Sequence, residues 1–260
     1  MGRRGARLPA WLAALAAALT TGAAPARAAE PLSGWAAVVV AGDDQAAHDD
    51  TPTEAFDNAR RDVAAAFARR GFAGANIAQF SLHPDRYPAD HAEKTAVGPI
   101  LLRLRTLAAG APAGCLIYVT SHGSPDGVVV DDQILPPPVM ASLARHACGG
   151  RPTAVILSAC FSGVFLPALA APNRLVFTAA RRDRSSFGCS ENDRYPFFDG
   201  CVIEDLPAAR DFIDLAGRVK RCVAAREDSE GMRPRSHPQL YVGRGFRAAE
   251  PPFARLAAAP

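Results

Sequence analysis

The sequence predicts an α/β domain built on a mostly parallel sheet with helices on both faces. Three observations carry that expectation. Apolar, β-prone runs alternate with segments of helical spacing from Trp35 onward, which is the signature of repeated β-α-β units. Two of those runs, Tyr118-Val-Thr-Ser-His122-Gly123 and Ala154-Val-Ile-Leu-Ser-Ala-Cys160-Phe-Ser-Gly163, have the same design. Each ends on a chemically capable side chain among small residues, as neighbouring parallel strands would at one sheet edge. The chain of 260 residues is also long enough to bury one full core.

The elements follow in order. Trp35 to Ala41 is an apolar run that stops at Gly42-Asp43-Asp44. Glu54 to Arg70 has helical spacing, with Phe56, Val63 and Phe67 on one side and Gly71 where a C-terminal cap belongs. Asn76 to Leu82 reads as a short strand. Thr95 to Ala109 reads as a helix whose apolar face is Ile100, Leu101, Leu104 and Leu107. The strand Cys115 to Ser121 comes next, then a hairpin from Gly127 to Leu135 turning at Asp131-Asp132. Pro136 to Pro138 opens a helix ending near Cys148-Gly149-Gly150. The strand Thr153 to Ala159 follows, then a short helix after Gly163 and a strand from Arg174 to Ala180. A polar loop is expected from Arg181 to Gly200, a helix from Pro207 to Arg226 and a last strand at Gln239 to Val242. The tail after Glu250 reads as loosely held.

The first 28 residues are expected to be an export signal. Arg3, Arg4 and Arg7 form a basic start, Leu8 to Thr20 is a short apolar run, and Ala26-Arg27-Ala28 offers small residues for cleavage. The apolar run is too short to span a bilayer comfortably. The domain then occupies residues 29–260, periplasmic or secreted, with no stable membrane anchor. The formal charge of +3 belongs to this leader. Without its four arginines, 25 of the 29 basic residues face 26 acids. With that balance and an aromatic content of 7%, no nucleic-acid partner is expected.

Six cysteines in an exported chain suggest disulfides. Cys115 and Cys148 each precede a strand and form one plausible pair. Cys189 and Cys201 flank the polar loop and could close it, leaving Cys222 on a helix. Sequence alone leaves the connectivity open.

The chemistry lies in the two strand ends. A thiolate is the reactive form of cysteine, and a nearby imidazole favours it. Cys160 is thus a candidate nucleophile, and His122 a general acid/base able to protonate a leaving amine. The backbone N–H groups of Gly123 and Cys160 are candidates for an oxyanion hole. No C-x-x-C or H-E-x-x-H occurs, and the turn at Cys160 does not match G-x-S-x-G. No metal and no cofactor are expected. Asp126, Glu191 and Asp199 are candidate pocket charges, though each reads first as a solvated loop acid.

These residues resemble the caspase–legumain group of cysteine peptidases, and most closely its legumain-like members, the peptidase C13 family. The likeness rests on Val40-Ala41-Gly42, the helix up to Arg70-Gly71, His122-Gly123, Ala159-Cys160, and the stretch from Ala179-Ala180 through Arg184-Ser-Ser-Phe-Gly-Cys189. It covers roughly Trp35 to Asp205. It implies a caspase-like three-layer sandwich and peptide-bond hydrolysis through a Cys160 thioester, with a peptide or protein as substrate. Ser158, Ser185 and Ser186 are the substrate-binding residues it implies. Two departures stand out. Legumains carry an acid where this chain has Ser158, and an arginine where it has Ala55. The same pair of residues would also serve a transpeptidase or other acyl transferase, and a non-catalytic binding domain could retain the fold.

Overall fold

The computed structural model describes residues 1–2, 31–47 and 51–256. The expected export signal and its cleavage site lie outside the described residues. The first strand, β1 (Trp35–Ala41), leads into α1 (Ala55–Arg69), β2 (Ile77–Ser81), the two-residue β3 (Glu93–Lys94) and α2 (Val97–Gly110). Then come β4 (Gly114–Thr120), the small strands β5 (Gly123–Ser124), β6 (Gly127–Val130) and β7 (Gln133–Leu135), and α3 (Pro137–Cys148). The second half holds β8 (Thr153–Ser158), α4 (Leu166–Leu169), β9 (Arg174–Thr178), α5 (Phe197–Asp205), α6 (Phe212–Ser229), β10 (Gln239–Val242) and α7 (Arg244–Ala249).

Seven strands form one sheet in the order β10-β9-β8-β4-β1-β2-β3. Every pairing in it is parallel except β10 with β9. Alternate residues of each central strand enter opposite cores. Val39, Tyr118, Ile156 and Phe177 pack with Val63 and Phe67 of α1 and with α5, α6 and Phe246 of α7. Val38, Ile117, Val155 and Val176 pack with Leu104 of α2 and Met140 and Leu143 of α3. Every residue of β1, β4, β8 and β9 is buried. That double burial is why these strands read as continuous apolar runs and not as alternating ones. The predicted α/β sandwich is therefore the observed one.

Strand order places a site before any side chain is considered. From β1 the chain builds outward to β2 and β3 on one side and to β4, β8 and β9 on the other. The carboxyl ends at such a reversal leave a crevice. Thr120 pairs with Ser158, and His122 and Cys160 each lie two residues further along their strands. Parallel register thus brings both to the same edge.

Three expectations are corrected. Phe197–Asp205 is a helix, not the end of a polar loop. Phe197, Phe198, Asp199, Gly200, Cys201 and Val202 are all buried, so the segment has no apolar stripe for a periodicity reading to find. The following helix starts at Phe212, where the Asp211 side chain accepts from the Asp214 N–H at 2.7 Å, an N-cap in place of the expected start at Pro207. The tail is held over its described residues, 251–256: Phe253 is buried, and its N–H donates to the Arg210 carbonyl at 2.7 Å.

The Cys115–Cys148 disulfide joins β4 to the end of α3 as expected. The second bridge is Cys201–Cys222 between α5 and α6, not Cys189–Cys201. Packing of α5 on α6 decides that choice, and α5 was not visible in the sequence. Two thiols, Cys160 and Cys189, stay free. Ellman titration of the unreduced protein in denaturant should accordingly count two thiols, rising to six after reduction. The 33-residue separation of the first bridge makes its loss worth about 3–4 kcal/mol, readable in urea melts of a Cys115→Ala/Cys148→Ala variant. A count of four thiols before reduction would exclude this connectivity.

Candidate active site

His122 leaves β4 into the small sheet of β5, β6 and β7, which secures its backbone. The Val129 N–H donates to the His122 carbonyl at 3.0 Å, and the Ser121 hydroxyl donates to the Val129 carbonyl at 2.8 Å. The ring is held from two other directions. Its Nε2 donates to the carbonyl of Gln45, in the loop after β1, at 2.8 Å. The Phe56 ring of α1 meets it edge-on with centroids 5.0 Å apart. Anchoring Nε2 as a donor leaves Nδ1 as the nitrogen able to take up a proton. Sequence reasoning missed Gln45, and no signal could have revealed it. Its contribution is a backbone carbonyl, which every residue type carries.

Cys160 follows β8 at a sharp turn. Phe161, the next residue, is left-handed at φ 57, a conformation costing an ordinary side chain roughly 1–2 kcal/mol. The turn is pinned to the segment after β9. The Phe161 N–H donates to the Arg184 carbonyl at 2.8 Å, and the Gly163 N–H to the Ala180 carbonyl at 2.9 Å. The Ser186 N–H donates to the Cys160 Sγ at 3.2 Å.

His122, Gly123, Cys160, Ser185 and Ser186 line one cavity of about 700 Å³. Gly123 is there because nothing larger fits: a Cβ on it would stand 2.3 Å from the Cys160 carbonyl oxygen. Cys189 lines the same cavity, but burial pushes its thiol up to about 12, so it stays protonated at neutral pH. Asp193 and Glu230 also line it, with no lysine or arginine among the described lining residues. Among the described residues no cluster of His, Cys, Asp or Glu is arranged to hold a metal, and no helix is long and apolar enough to cross a membrane.

Two sequence expectations are corrected here. Ser158 does not line the cavity. Its side chain is buried and its hydroxyl donates to Asp199 Oδ2 at 2.7 Å. Asp199 is not a solvated loop acid but a fully buried residue of α5. Tyr118 donates to its Oδ1 at 2.5 Å and Thr120 to its Oδ2 at 2.7 Å. Asp199 thus ties the ends of β4 and β8 together, two residues short of His122 and Cys160. Burial pushes its carboxyl up to about 6, against the three hydroxyls that favour the anion. Tyr118, sealed beside it, is kept protonated.

The model of the peptidase C13 family matches residues 36–202. The chain belongs to the peptidase C13 family. The match runs from β1 into α5, so this C13 chain carries both strand ends and the segment that pins the Cys160 turn inside the family's own span. Among solved structures it is similar to caspase-1 from Spodoptera frugiperda, with a TM-score of 0.57 and 16% identity over 92% of this chain and 94% of that one. At that identity the likeness speaks for the fold, which is the caspase-like sandwich. No curated protein matches the chain. Membership supports cysteine peptidase activity as the general chemistry of this C13 protein.

Proposed function

We propose that this C13 chain is a cysteine endopeptidase in which Cys160 is the nucleophile and His122 the general acid/base. The observation that carries the reading is the convergence of His122, Gly123, Cys160 and Ser186 on one cavity at the carboxyl edge of the sheet. Cys160 gives its thiol proton to the His122 Nδ1 as its sulfur adds to the scissile carbonyl, and the N–H groups of Gly123 and Cys160 hold the oxyanion that forms. As the tetrahedral species collapses, the C–N bond breaks and the amine leaves with a proton from the His122 Nδ1. His122 then takes a proton from water, which attacks the thioester; the C–S bond breaks, the acid leaves, and the proton passes from His122 back to the Cys160 sulfur. Ser185 and Ser186 line the subsite for the residue before the scissile bond, and Asp193 and Glu230 disfavour an acidic side chain there.

Two disulfides support an oxidising compartment, periplasmic or extracellular. The test is labelling with a peptidyl acyloxymethyl-ketone probe. The wild type should label once, at Cys160. The Cys160→Ala variant should fold normally and not label, and His122→Ala should label at least 100-fold more slowly. Labelling that survives Cys160→Ala, or that moves to Cys189, would overturn the assignment. Adding an amine nucleophile to a cleavage assay distinguishes the transferase: it would yield amine-capped products in place of free acids.

A further inference from the structure

Arg174, the first residue of β9, is only 3% exposed, yet no described residue forms an ion pair with it, and its Nη1 is buried without a hydrogen-bond partner. A guanidinium removed from water and left unpaired is costly, and proteins rarely keep one without a counter-charge. Its surroundings deepen the deficit. Arg145, exposed in the last turn of α3, has no ion-pair partner among the described residues either. Burial and the Arg145 charge together lower the Arg174 pKa. Both arginines line a cavity of about 280 Å³ with Gly149, Asn173 and a wall of small apolar residues including Ala141 and Leu169. No acidic side chain contributes to that lining.

From this unpaired pair of guanidinium groups we infer that the cavity between the end of α3 and the start of β9 is an oxyanion site, taking a small carboxylate or phosphate. The geometry suits such a ligand. A planar guanidinium offers parallel N–H donors that match the oxygens of either group. The apolar wall reduces screening, which strengthens the attraction. The cavity has room for a small ion or the end of a peptide, and it lies at the amino edge of the parallel strands, away from His122 and Cys160. It is therefore independent of the peptidase reading.

The experiment is a thermal melt of the whole chain at constant ionic strength, with chloride exchanged for inorganic phosphate or succinate, followed by calorimetric titration. Phosphate or succinate should raise Tm by several degrees over chloride. Arg145→Met, an exposed change that leaves the fold intact, should weaken binding at least ten-fold, and Arg174→Met should abolish it. A response to phosphate alone identifies a free phosphate ligand, and a response to succinate alone identifies a carboxylate such as a peptide end; either supports the site. No shift with either anion, or a shift that both variants retain, would overturn it. So would an Arg174→Met variant that melts well below the wild type in chloride, because the guanidinium would then serve the fold itself.

Discussion

Asp199→Ala is expected to destabilise the protein by about 3–5 kcal/mol, because it leaves a cavity and strands three buried hydroxyls. The donors are Tyr118, Thr120 and Ser158, all buried. The amide of Asp199→Asn keeps the shape and separates charge from packing. Burial holds the native carboxyl near 6, above the usual value of roughly 4 in an unfolded chain. The folded state therefore binds this proton more tightly than the unfolded state. The resulting stabilisation is fully present below about pH 4 and is lost as the pH rises through about 6. Urea unfolding from pH 4 to pH 7 should show the wild type losing about 3 kcal/mol relative to the Asn variant over that window. A constant difference would show that Asp199 titrates normally. The Asn variant should also lose about ten-fold in kcat/KM, because small displacements at the strand ends are felt at His122 and Cys160.

Gly123→Ala should cost about 100-fold in kcat/KM and roughly 1–3 kcal/mol of stability from overpacking. The added methyl would stand 2.3 Å from the Cys160 carbonyl oxygen and 3.0 Å from the Ala159 Cβ. Both obstacles lie at the end of β8, a buried strand flanked by β4 and β9, so neither can retreat as the tip of a flexible side chain could. The segment bearing His122 must move away from Cys160 instead. Gly98→Ala is the matched control. It lies in α2 with nothing within 4 Å of the new methyl, and alanine is the better helix former by up to about 1 kcal/mol. Peptide cleavage assays beside thermal melts would check the pair. Activity of Gly123→Ala within two-fold of the wild type would show that this contact does not position the site.

Much of the architecture was legible because the information is local. Trp35–Ala41 and Gln239–Val242 lie where their apolar runs end, and the hairpin turns at Asp131, which takes the left-handed conformation at φ 61. The helix at Phe197 was not legible, since its first six residues are all buried and carry no periodic contrast. Losing it also misdirected the cystine partner of Cys201 and the reading of Asp199. Ser158 misled for a related reason. Its position two before Cys160 suggested the cavity, whereas alternation along β8 turns its side chain beneath the sheet edge, toward α5.

The sequence by itself determined the strands, their burial on both faces, and the arrival of a histidine and a cysteine at the ends of two matching runs. Those properties follow from short-range patterns of apolar and small residues. The tertiary structure decided what surrounds the two residues: the Gln45 carbonyl on His122, the Ser186 N–H on Cys160 and the Asp199 carboxylate beneath both. Each depends on elements distant in the chain meeting through packing, and two of the three partners are backbone groups with no residue signature. A sequence can state which side chain ends a strand, but the field around that side chain exists only once the strands and helices have closed on one another.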